Sequence, residues 1–232
     1  LSPSLSNLGH SGQPPTHPAL LDYLSDEFVQ QGWSMKRLIR TIVLSATYQQ
    51  TSKLTASPDE QDLRLGLFGV ARVKRLEVES IWRTLNLLEH DPQSGERRRE
   101  PPYDMVKEME DLFDGADRDL IVPRRSASIS SLQALFFMNS EHVKRSTEKL
   151  ATRLHRLSDD PARISQVFRL LYGRTASKAD VAAGEAFLKE WKIDASSLQK
   201  SRNKNAPPPE VLARWQAYLQ ALLATNEFLF IH

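Results

Sequence analysis

A chain of 232 residues, 40% hydrophobic and 26% charged, is long enough to bury its own core and is not disordered by composition. Its 31 basic and 29 acidic residues leave a net charge of +2, so the pI of 8.8 reflects near balance and gives no nucleic-acid footprint. The lack of cysteine excludes disulfides, thiolate metal sites, haem attachment and thiol nucleophiles within the chain, and no apolar run approaches the ~20 residues that cross a bilayer.

The chain begins at Leu1-Ser2-Pro3 with no methionine or signal peptide, and the expectation is that a natural N-terminus lies upstream. Residues 1–16 are rich in proline, glycine and serine and read as an extended arm. A first helix is expected from Thr16-His17-Pro18, with Thr16 or His17 as the cap and Pro18 in the first turn. Leu21, Leu24 and Phe28 share one of its faces, and Gly32 stops it. Ser34 caps a second helix with the stripe Leu38, Ile39, Ile42, Val43 and Ala46, and the short turn implies a helical hairpin.

Residues 49–62 read as a polar loop. A helix from about Leu76 places Val78, Ile81, Trp82, Leu85 and Leu88 inward. Residues 91–102 read as an exposed loop that includes the run Arg97–Arg99. A short helix over Tyr103–Phe113 ends in the acidic turn Asp114-Gly115-Ala116-Asp117. The apolar run Leu132–Met138 follows, and Ser140 caps a helix with Val143, Leu150 and Leu154 inward. Asp160-Pro161 opens the next helix and Gly173 closes it, while Ser177 to Asp180 has capping-box spacing. Residues 194–209 form a polar linker, and a last helix from about Pro209 leads to an apolar tail, Phe228 to Ile231.

The expected fold is therefore all-α, an irregular array of about seven to nine helices with little or no sheet. The arm 1–16 precedes a single helical domain, 17–232, with sub-lobes 17–113 and 130–232. Phe28, Trp33, Trp82, Phe168, Phe187, Trp191 and Trp215 are expected in its core.

Seven ordered blocks carry a family resemblance. They are Gly12–Pro18 with Leu20–Leu24, Gly32–Lys36, Ile42–Tyr48, Phe113–Asp117, Gln133–Ser140, Leu170–Arg174 and Ala221–Leu229. In this order they resemble the planctomycete, cytochrome-associated domain of unknown function fifteen-fifty-three. The resemblance implies a C-terminal position in a long extracytoplasmic polypeptide, periplasmic, secreted or at the cell surface. It also implies a preceding domain, in many members a cytochrome-c-like domain and in some a carbohydrate-binding module. No catalytic residue comes with it.

Among candidate site residues, Asp114 and Asp117, with Asp119, offer clustered oxygens of the kind hard cations use, but not at calcium-loop spacing. The favoured reading has them capping a turn, with no metal. Arg124 and Arg125 suit bidentate pairing with Asp114 or Asp117, or alternatively an anion or sugar-acid clamp. Gln133 and Asn139-Ser140 bracket an apolar segment, where buried amides must be satisfied; a pocket lined by Asn139 is the alternative. His17 could serve as a base but has no partner at a telling spacing, and the six histidines are scattered.

The expected role is a helical scaffold or interaction domain that packs on an upstream domain of the same polypeptide, with carbohydrate as a further candidate partner. Neither nucleic acid nor membrane insertion is expected. No cofactor is expected within the chain, although an upstream domain could carry haem. The alternative is a share in a polysaccharide-acting or redox enzyme whose centre is divided with that domain.

Overall fold

The computed structural model describes residues 1, 6–7, 9–52, 57–95, 103–116, 125, 128–192 and 207–231. The Arg97–Arg99 run and most of the 194–209 linker lie outside them. Among the described residues the chain forms eleven α-helices and one two-stranded sheet, an irregular all-α array. They fall into two compact units, Leu1–Lys74 with Arg125, and Arg75–Ala116 with Ser128–Ile231.

In the first unit, α1 (Pro18–Gln30) starts where proline's fixed φ and missing N–H cost nothing. His17 is its N-cap residue and makes no side-chain cap bond. Gly32 and Trp33, both left-handed at φ 71° and 60°, turn the chain, and the Trp33 N–H donates to the Phe28 carbonyl at 2.9 Å. Ser34 then caps α2 (Met35–Val43), accepting from the Arg37 N–H at 3.4 Å. α2 packs on α1.

One expectation fails here. Pro58–Gly66, read as mostly loop, is helix α3. The Ser57 hydroxyl accepts from the Glu60 N–H, proline occupies the first turn, and Asp59 and Glu60 favour the positive end of the helix dipole. That start signal outweighs polar composition. No residue of α1 or α2 is buried, and Trp33, expected inward, is 67% exposed.

The second unit opens at Arg75, the second residue of β1 (Lys74–Arg75), which pairs with β2 (Phe230–Ile231). The Leu76 N–H donates to Leu229 O at 2.7 Å, which ties the C-terminal tail to this unit. Between the strands run α4 (Val78–Glu89), α5 (Tyr103–Leu112), α6 (Ser131–Asn139), α7 (Glu141–Leu154), α8 (Asp160–Tyr172), α9 (Lys178–Glu190), α10 (Pro209–Leu223) and α11 (Asn226–Leu229).

α7 is central, packed against α4, α6 and α10. The α4 stripe Val78, Ile81, Leu85 and Leu88 meets Val143, Leu150 and Leu154 of α7 within one core. α7 also buries Ser146 and Thr147, whose hydroxyls donate back to the carbonyls four residues earlier. The expected caps at Ser140 and Ser177 form, and Gly173 ends α8 at φ 67°. Trp191, expected in the core, closes α9 at 42% exposure and stacks on Phe187.

Gly184 lets α9 approach its neighbours. A Cβ there would fall 2.6 Å from Tyr218 Oη and 2.8 Å from Ile164 Cδ1. Alanine is ordinarily the better helix former by about 1 kcal/mol. At this crossing overpacking reverses the sign, and Gly184→Ala is expected to destabilise by about 1–3 kcal/mol in urea unfolding.

Candidate functional site

The acidic turn lies at the end of α5. The Phe113 N–H donates to Met109 O at 2.9 Å and the Gly115 N–H to Glu110 O at 2.6 Å, with Asp114 between them at φ 55°. This is a helix C-terminal turn with aspartate in the left-handed position usually held by glycine, and short polar side chains tolerate that conformation best. The Asp114 carboxylate accepts from the Ser128 N–H at 2.7 Å, the Ser128 hydroxyl at 2.9 Å and Arg75 Nη2 at 2.9 Å.

Arg75 also donates to Phe113 O at 2.7 Å and to Ser128 O, and its guanidinium lies 5.7 Å from the Phe113 ring centre. Gln133, buried in the first turn of α6, donates to Leu112 O at 2.9 Å and Ser128 O at 3.3 Å. The side chains of Arg75 and Asp114 are 7% and 19% exposed. The Ser128 N–H is the largest influence on Asp114. Against the cost of burial, it acts with the Ser128 hydroxyl and Arg75 to hold the carboxyl below the usual range. The cluster joins the end of β1, the end of α5 and the start of α6. Both carboxylate oxygens are already bonded within the protein, so it is built to fix backbone.

Asp117, Asp119 and Arg124 lie outside the described residues, and Arg125 is half-buried. Asn139 is exposed at the last position of α6. His17 belongs to the first unit, where its ring meets Phe68 at 4.6 Å and its Nδ1 lies 2.9 Å from Thr16 Oγ1. Among the described residues, no group of three or more His, Cys, Asp or Glu could hold a metal ion. The Asp114 partner that the structure shows is Arg75, distant in sequence and without a local signal.

A second cluster also went unforeseen. His142 Nδ1 lies 3.0 Å from Glu89 Oε1, Ser146 Oγ lies 3.2 Å from that same oxygen, and Lys149 Nζ lies 3.5 Å from Oε2. Burial pushes Glu89 up, but the His142 bond and the charges of His142, Lys149 and Arg145 outweigh it and hold the carboxyl below its ordinary value. A serine–histidine relay needs the hydroxyl on the imidazole. Here Ser146 bonds to Glu89 and to the His142 carbonyl, His142 Nε2 has no partner among the described residues, and His142 is 3% exposed. The group ties α4 to α7 beneath the surface.

α6 itself offers a surface. Gln133, Phe136 and Phe137 are buried, and Phe137 meets Phe113, Phe136 and Phe228 edge-on with centroids 5.5–6.1 Å apart. On the other side Leu132, Leu135 and Met138 are 61%, 47% and 62% exposed, and Ile129 just before the helix is 81% exposed. Residues 129–140 contain no charged side chain. Among the described residues, no helix is long and apolar enough to cross a membrane.

A family model described as a protein of unknown function (DUF1553) matches residues 1–102 and again 94–188, together running from 1 to 188 of the 232 residues. No curated protein and no solved structure matches the chain.

Proposed function

The chain belongs to this DUF1553 family of proteins of unknown function, and we propose that it is a helical interaction domain that docks an apolar partner through the outer face of α6. The observation that carries the proposal is that α6 is apolar on both sides while only one side is covered. A helix that is apolar all round normally sits inside a protein. The uncharged stretch 129–140 has the composition of an interface centre, where charge is depleted. The Asp114–Arg75–Ser128–Gln133 cluster fixes the start of α6 and so pre-organises the face.

The partner we propose is an upstream domain of the same extracytoplasmic polypeptide, which the family resemblance leads one to expect. The Asp114 oxygens are taken up by Arg75 and Ser128, which supports a structural role for that residue.

Calorimetric titration of the chain with the preceding part of the polypeptide tests this. Micromolar or tighter association is expected, with Leu135→Asp weakening it by about 100-fold, equivalent to about 2.8 kcal/mol. Because Leu135 is half exposed, the unfolding midpoint should barely move. Failure to associate, or binding indifferent to Leu135→Asp, would refute the proposal.

A further inference from the structure

The first unit presents a different kind of surface. Met35, Ile39 and Ile42 lie along one side of α2 at 59%, 54% and 38% exposure. Trp33 stands exposed immediately before the helix, on a residue held left-handed at φ 60°. The opposite side carries Lys36, Arg37 and Arg40, all exposed, and the helix contains no acidic residue. Among the described residues none of the three cations is in an ion pair.

We propose that α2 lies flat on an anionic lipid surface, with Trp33, Met35, Ile39 and Ile42 entering the interface and Lys36, Arg37 and Arg40 reaching its headgroups. Charge decides the occupant. A face made for a protein core excludes charge, as around α6, whereas an interfacial helix pairs an apolar stripe with a basic polar face and an aromatic anchor. Long cationic side chains can bend back toward the headgroups while their methylenes cover apolar surface. Such a helix lies on the membrane and does not span it. Asp22, Asp26 and Glu27 on α1 balance the three cations across the hairpin. Attachment is therefore modest, specific to anionic lipid and strongly salt-dependent. This inference does not depend on what occupies α6.

Vesicle flotation of the whole chain tests it, using phosphatidylcholine alone and phosphatidylcholine with about 30% phosphatidylglycerol. Each basic residue is expected to strengthen anionic binding roughly fivefold, so Lys36→Glu with Arg40→Glu should lower it by at least 25-fold. Ile39→Asp should abolish it, Leu135→Asp should leave it intact, and salt at about 0.5 M should reverse it. The emission of Trp33, taken as the difference from Trp33→Phe, should shift to the blue on anionic vesicles only.

Thermal melts check that each variant folds, with Lys36→Gln, Arg40→Gln and Ile39→Ser as milder replacements. No flotation, equal flotation on both vesicles, or binding indifferent to these variants would overturn the proposal. So would self-association, or capture of a protein partner, that buries Trp33 without lipid.

Discussion

Replacing Asp114 with alanine is expected to lower the unfolding free energy by about 3 kcal/mol, because it strands a buried cation. Arg75 is 7% exposed, and its Nε lacks a partner among the described residues, so its remaining bonds must offset a large desolvation cost. Alanine removes the carboxylate and places a β-carbon without polar atoms at φ 55°. Two variants separate these effects. Asp114→Gly keeps the backbone conformation and loses the carboxylate, whereas Asp114→Asn tolerates the conformation, keeps an acceptor and loses the charge. Asn should be the least damaging of the three.

The pH dependence follows from the lowered folded pKa of Asp114. The unfolded state binds the proton more readily, so the carboxylate contributes its full stability above the unfolded value, about 3.9. That contribution is lost as pH falls through the folded value. The gap between wild type and Asp114→Asn should be full at neutral pH and close with acidification, in urea titrations at matched salt. A constant gap down to about pH 2 would mean that the charge contributes nothing there.

What could be read in the chain was local. Pro18, Ser34, Ser140, Gly173 and Ser177 act within a few residues of themselves, and each works as its chemistry dictates. The helix after Ser57 was equally local, but its polar composition masked its start signal. The clusters were not legible, because Arg75 meets Asp114 across 39 positions and Ser146 meets Glu89 across 57. Nothing in a single sequence marks such partners. Trp33 and Trp191 show a further limit. An aromatic at helical spacing indicates a face, yet whether anything covers it depends on neighbouring helices. α6 is the extreme case, since apolar residues around its whole circumference reveal a helix but not which side faces the core.

The two sides of α6 can be told apart by stability. Phe137→Ala is expected to cost about 3–5 kcal/mol, the usual range for a fully buried phenylalanine. The residue is 0% exposed, and its ring is the common contact of Phe113 after α5, Phe136 beside it and Phe228 in α11. The cavity cannot close easily, because Phe113 is held by the polar bonds of Arg75 and Asp114, and Phe228 by the Thr225 cap. Leu135→Asp, two residues away, should change stability by no more than about 0.5 kcal/mol while removing the docking proposed above. Because Phe113 joins the two sites, Phe137→Ala and Asp114→Ala should not be additive, and the double variant should lose less than the sum. Simple additivity in a double-mutant cycle would show that the polar cluster holds the turn without seating α6, and would separate it from the face it is proposed to present.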